Sequence, residues 1–310
     1  MRVPTAAVFL AVLSACVTVK VETPLASYRD AVAQASAAVG AYFSDVNAFE
    51  RDLYFDELRT DPRREVLATD AEGKRTPLLG QTLSAESVRA RLDSLALLSA
   101  YGARLAELAG ADAPSRLPEE GRALGEAITN LETTFRSLRD DAKAPDYAGP
   151  IGFIAGVLGE MYVDSKRDEA LRKAIRDGTP KVDRILDLLE ADLTQVAGPI
   201  RQLGAQQMLA ERMDEYNRNR LKWSREQRHD ALDDIRAAAR GYELALVARP
   251  ASLIAAIRTA NHSLVAAVEA GRSADSMARL RGAIDALSGR VREAIPALQE
   301  LRDLRSGAPR

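Results

Sequence analysis

The chain has 310 residues, 46% of them hydrophobic and 28% charged, with 43 basic side chains against 45 acidic ones. That near balance excludes a whole-protein field for gathering nucleic acid, which needs a basic face. The length suffices for one large domain or two modest ones with a sizeable core. Ala, Leu and Arg abound while aromatics make up 5%, the profile of helices with small, closely packed faces. No alternating apolar and polar run bounded by turn signals reads as a strand.

At the N-terminus, Arg2 precedes a short apolar run from Ala6 to Leu13, and Ser14 and Ala15 lead into Cys16, the only cysteine. The run is far shorter than the ~20 residues needed to cross a bilayer as a helix, so residues 1–15 read as a cleaved export signal. In this position Leu13-Ser14-Ala15-Cys16 resembles the lipobox of bacterial lipoproteins. The alternative is an ordinary secretory signal cut nearby, with Cys16 an incidental thiol. The resemblance covers only residues 1–16 and indicates no family for the body. It implies a diacylglycerol thioether and an N-acyl chain on Cys16, and two or more acyl chains anchor a protein stably. With Val17 rather than aspartate after the cysteine, it further implies an outer-membrane address, facing the periplasm. The bilayer is then one partner, the covalent lipid the only non-protein group expected, and cofactor and metal are both expected to be absent. The lipid consumes the only thiol, so the fold is expected to stand on packing without disulfides. Loss of Arg2 with the signal leaves 42 basic against 45 acidic residues.

Residues 16–23 form the lipidated cysteine and a tether whose seven residues after Cys16 reach at most ~25 Å. The body is expected over 24–305. Thr23 and Pro24 suit the N-cap and first position of a helix. Leu25, Tyr28, Val32, Ala35, Val39, Tyr42, Val46, Phe49 and Leu53 follow at alternating spacings of three and four, a heptad seam. The helix is expected to end near Asp61, before Pro62. Residues 62–83 read as a long loop, either a functional one or a plain connection. Ser84 or Ser87 caps a second helix with Val88, Leu92, Leu95, Leu98, Tyr101, Leu105 and Leu108 inward, and a third carries Leu124, Ile128, Leu131, Phe135 and Leu138.

A sub-boundary is placed at 143–149. Residues 149–163 then stand apart, with Glu160 their single charge and Gly152 and Gly156 in G-x-x-x-G spacing, which lets helix backbones approach closely. Gly152, Phe153, Gly156 and Gly159 are candidate residues for close packing or for lining an apolar ligand site. Thr179-Pro180 is expected to restart the chain, with Val182, Ile185, Leu189, Leu193 and Val196 inward and a kink at Pro199. No Gly or Pro lies between Gly204 and Gly241, and one helix there would span ~54 Å. Within it the apolar pattern lapses from Asp214 to Asp230, which is expected to project from the body. Arg249-Pro250 marks the next break. Leu253, Ile257, Ala260, Leu264 and Val268 define the penultimate helix. Ser273 caps the last one, whose seam is Met277, Leu280, Ile284, Leu287, Val291, Ala294, Leu298 and Leu301, with a bend expected at Pro296. Residues 306–310 are a tail expected to fray.

Two seams of this period predict an all-α, elongated antiparallel bundle of six to eight helices with coiled-coil-like packing. Catalytic constellations are lacking. Glu226 and His229 have the E-x-x-H spacing of di-iron bundles, yet such a site needs a second copy and two more glutamates, and His262 has Thr259 three positions before it. No H-E-x-x-H, G-x-S-x-G, S-x-x-K or Walker loop occurs. Leu193-Thr194-Gln195 does not match the repeat of periplasmic helical chaperones. The candidate contact surface is Arg218, Arg220, Lys222, Trp223, Arg225 and Arg228, since arginines grip phosphate or carboxylate and an exposed Trp anchors interfaces. Interleaved Asp214, Glu215, Glu226 and Asp230 suit a solvated face equally well. The expectation is a non-enzymatic envelope lipoprotein, a structural or interaction module whose partner is an envelope protein or polymer and not nucleic acid. The alternative is a lipid or apolar-ligand binder using residues 149–163.

Overall fold

Leu25, Tyr28, Val32, Ala35, Val39, Tyr42 and Val46 lie on the buried side of the first helix, α1 (Glu22–Thr60), as the heptad spacing predicts. The protein is described by a computed structural model over residues 21–60, 63, 83–110 and 167–306. Among these residues there is no strand. The lipobox, most of the 62–83 loop, the third predicted helix, the 143–149 sub-boundary and the segment with Gly152, Phe153, Gly156 and Gly159 all lie outside them.

Ser84 caps α2 (Ala85–Ala109), its hydroxyl accepting the Ser87 N–H at 3.1 Å. Asn47 donates to the Leu83 carbonyl at 2.8 Å, Gly40 faces Leu92 and Leu95, and Gly102 faces Tyr28. The pairing of late α1 with early α2 makes these helices antiparallel. Tyr101, Leu98 and Leu105 are among the α2 residues buried in the core.

The third helix, α3 (Arg167–Asp192), continues unbroken across Pro180, correcting the expected restart at Thr179-Pro180. A proline inside a helix costs ~3 kcal/mol. Burial of Leu171, Ala174 and Ile175 before it and Val182, Ile185, Leu186 and Leu189 after it holds both sides in one rod. Leu193–Ala197 then form a π turn leading into α4 (Gly198–Asn219). Pro199 explains it: the proline offers no N–H, and its ring would strike the carbonyl four residues back, so the helix widens there. Only glycine fits at 198, because a Cβ would stand 2.6 Å from the Leu193 carbonyl oxygen.

After α4 the chain reverses into α5 (Arg225–Val247), which adjoins α6 (Pro250–Glu269) across Ala248 and Arg249. Leu253, Ile257, Ala260, Leu264 and Val268 are buried as predicted. Gly271 and Arg272, both at positive φ, turn the chain into α7 (Ala274–Ser306), where Ser273 caps the helix and Pro296 lies inside it. Met277, Leu280, Ile284, Leu287 and Val291 are buried; Ala294, Leu298 and Leu301 are half-buried.

Polar links fix the register. The Tyr28 hydroxyl donates to Asn261 Oδ1 at 3.3 Å, and Asn261 Nδ2 donates to Thr179 Oγ1 at 3.4 Å, joining α1, α6 and α3 inside the core. Arg258 reaches Asp187 and Glu190 at 2.7 Å each, and His262 meets Asp183 at 2.8 Å. The paired numbers run in opposite senses, so α6 is antiparallel to α3. Tyr28 lies level with Thr179, Tyr42 with Ala197 and Phe49 with Gly204, so α1 is parallel to α3 and α4. With α3 continuing into α4 and α5 into α6, the described residues make five helical rods. The expected number of six to eight is not reached among them.

Candidate functional site

No residue from Gln206 to Glu243 is buried. The expected single helix across Gly204–Gly241 is instead two helices, α4 and α5, folded into a hairpin arm. The cause is legible at Ser224: its hydroxyl accepts the Gln227 N–H at 3.1 Å, and Gln227 Oε1 accepts the Ser224 N–H at 2.8 Å. This reciprocal capping box starts a new helix without glycine or proline. Asn219 closes the turn from the other side, its carbonyl accepting the N–H groups of Lys222 at 2.8 Å and Trp223 at 3.0 Å.

The arm projects because its apolar residues are too sparse to enter the bundle, as the lapse over 214–230 predicts. Leu203, Met213, Leu221, Leu232, Leu246 and Val247 are all exposed. At the apex, Leu221 is 92% exposed. Trp223, expected as an exposed anchor, is instead half-buried, edge-on to Tyr216 at 6.3 Å between ring centroids. It packs the turn back onto α4.

The predicted basic residues divide into two groups. Arg228 is half-buried and donates to the Trp223 carbonyl, while Arg220 donates to the Asn217 carbonyl at 2.8 Å and its Oδ1 at 3.0 Å. Both brace the turn. Arg218, Lys222 and Arg225 are exposed and form no ion pair among the described residues. From Tyr216 to Arg225 the sequence contains no carboxylate. The apex is therefore a locally cationic cap on a chain that is acidic overall. Glu226 and His229 are both exposed, and His229 lies 3.6 Å from Asp233 on the same helix.

At the root of the arm, α1, α4, α5 and α7 line an open cleft of about 350 Å³ that residue spacing did not reveal. Phe49, Phe55, Met208, Leu301 and Leu304 give it apolar walls, and Arg59, Arg201, Arg212 and Arg302 bring cations to it, with Asp45, Asp52 and Asp234 opposite. Arg201 is buried, its guanidinium 4.4 Å from the Tyr42 ring centroid and donating to the Tyr42 carbonyl at 3.2 Å. Asp45 lies 3.9 Å from Arg201 and accepts from Arg302 at 3.2 Å. Burial raises the Tyr42 phenol above its ordinary value, against the lowering pull of Arg201. Arg240 ties the arm to α7 through a two-pronged contact with Glu300 at 3.0 and 2.9 Å.

Comparison with protein-family models, with curated proteins and with solved structures finds no match to this chain.

Proposed function

We propose that this protein is a lipid-anchored, non-catalytic interaction module of the cell envelope. Cys16 is held in the outer membrane on its periplasmic side, the helical bundle serves as a stalk, and the α4–α5 arm makes the contact. The observation that supports this reading is the arm itself: a long two-helix projection with no buried residue from Gln206 to Glu243 adds little to the core, which suits a role in contact outside it. Contacts at Tyr28, Tyr42 and Phe49 put the start of α1 and the arm apex at opposite ends. They lie roughly 65 Å apart at 1.5 Å per helical residue. A tether at Cys16 would therefore leave the apex free to reach a partner.

The test is fractionation and intact mass of the wild type beside Cys16→Ala. Release from the outer membrane with loss of a lipid-sized mass supports the anchor. A soluble, unmodified wild type refutes it. A photo-crosslinker at Lys222 then reports whether the apex meets anything in the envelope.

The second reading, a lipid or apolar-ligand binder, draws support from the cleft at the arm root, away from the 149–163 segment where the sequence suggested it. That volume suits a medium-sized amphipathic molecule. Organic-solvent extraction of the purified protein followed by mass spectrometry separates the two: a stoichiometric lipid favours the binder, an empty extract the interaction module.

A further inference from the structure

We infer that the arm apex docks onto an anionic lipid bilayer, with Leu221 entering the headgroup layer and Arg218, Lys222 and Arg225 meeting lipid phosphates. The inference rests on the reading of the arm as the contact element and names what it contacts.

Leu221 carries the argument. At 92% exposure it stands at the tip of a turn held by two backbone N–H groups donating to the Asn219 carbonyl and by the capping box below. A leucine held at the tip of a hydrogen-bonded turn is stabilised when its side chain leaves water for an apolar environment. The exposed cations near it match a surface of phosphates, and no carboxylate interrupts the segment from Tyr216 to Arg225, Glu215 and Glu226 lying just outside it. A hydrophilic anionic polymer would satisfy the cations and leave Leu221 in water. A protein groove would be expected to use the aromatic anchor, yet Trp223 is already packed on Tyr216. Apolar tip plus cationic collar is the composition of an interfacial membrane contact. Because the apex and Glu22 lie at opposite ends of the bundle, this contact is separate from the one an acyl anchor would make.

The experiment is vesicle flotation with the full chain carrying Cys16→Ala, so that no acyl chain contributes. Vesicles of phosphatidylcholine alone are compared with vesicles containing phosphatidylglycerol. Binding is expected on the anionic vesicles only, and should weaken as salt rises. Each basic residue near an anionic surface contributes about fivefold, so Arg218→Gln/Lys222→Gln/Arg225→Gln should weaken binding about a hundredfold. Leu221→Asp should weaken it about tenfold or more, with the melting temperature unchanged because the site is exposed. A charge-matched control, Arg279→Gln/Arg281→Gln/Arg290→Gln on α7, should bind like the parent.

Equal binding to both vesicle types, or apex variants that bind like the parent, overturns the inference. If vesicles are ignored while a crosslinker at Lys222 captures a protein, the arm remains the contact element and the bilayer is wrong. If neither vesicle nor crosslink reports the apex, the reading of the arm fails with it.

Discussion

The ion pair between Arg91 on α2 and Asp192 at the end of α3 gives the sharpest test of the packing. Arg91 Nε lies 2.8 Å from Asp192 Oδ2, and the two side chains are only 4% and 7% exposed. The Arg91 guanidinium also donates to the Ser87 carbonyl at 2.7 Å and lies 5.7 Å from the Phe43 ring centroid. At an effective dielectric near 20, the direct attraction at this separation is about 6 kcal/mol, and desolvation of both ions offsets most of it. The intact pair therefore adds little net stability, whereas Arg91→Met leaves Asp192 charged and buried against the π turn and should cost about 3–5 kcal/mol. That is a large share of the 5–15 kcal/mol typical of a folded domain. Asp192→Asn should cost a comparable amount, and the double variant much less than the sum, with a coupling of about 2 kcal/mol or more. Urea unfolding followed by far-ultraviolet circular dichroism reads this as a lower midpoint at unchanged slope. If Arg91→Met costs under about 1 kcal/mol, or the two substitutions add to within about 0.5 kcal/mol, water reaches this site and the assigned burial is wrong.

Three further outcomes follow from the same geometry. Gly204→Ala places a methyl 2.5 Å from a Phe49 ring carbon and 3.2 Å from Leu53. Phe49 is half-buried on the cleft and can yield, so crowding should exceed the helix-propensity gain only modestly, a net loss of about 1 kcal/mol. The melting temperature reads it, and a rise would refute the α1–α4 contact. Gly282→Ala meets nothing within 4 Å, and should instead stabilise by roughly 0.5–1 kcal/mol in the same melt. Burial drives the Tyr28 and Tyr101 phenols well above their ordinary value, with Asp183 adding to both shifts and the Thr179 hydroxyl opposing the one on Tyr101. A raised folded value means the native state keeps these protons after the unfolded chain has lost them. Their contribution is thus complete below about pH 10 and falls by about 1.4 kcal/mol per tyrosine per pH unit above it. Alkaline urea titrations of the wild type and of Tyr28→Phe should differ in slope by one tyrosine, and equal slopes would show that Tyr28 is not sealed from water.

What the sequence determined by itself was the periodic part. Residues repeating every three or four positions in α1, α6 and α7 must share a face, and a face of Leu, Val, Ile, Tyr and Ala has to be covered. All-helical structure and most of the inward residues follow from that alone. The lapse over 214–230 likewise announced a projecting section, because a helix without an apolar stripe has nothing with which to enter a core. The arm's reversal was written in Ser224-Arg225-Glu226-Gln227, although a search for glycine and proline passes over it. Tertiary structure alone decided the remainder. Pro180 reads as a break, yet α3 continues across it with buried neighbours on both sides. Whether Trp223 or Leu221 meets solvent depends on which one packs back on Tyr216, a contact no local spacing encodes. The Arg91–Asp192 pair and the cleft beneath the arm join helices far apart in sequence. Local pattern fixes which side of a helix is buried, but only the docking of whole helices fixes which charges are buried with it and where space is left between them.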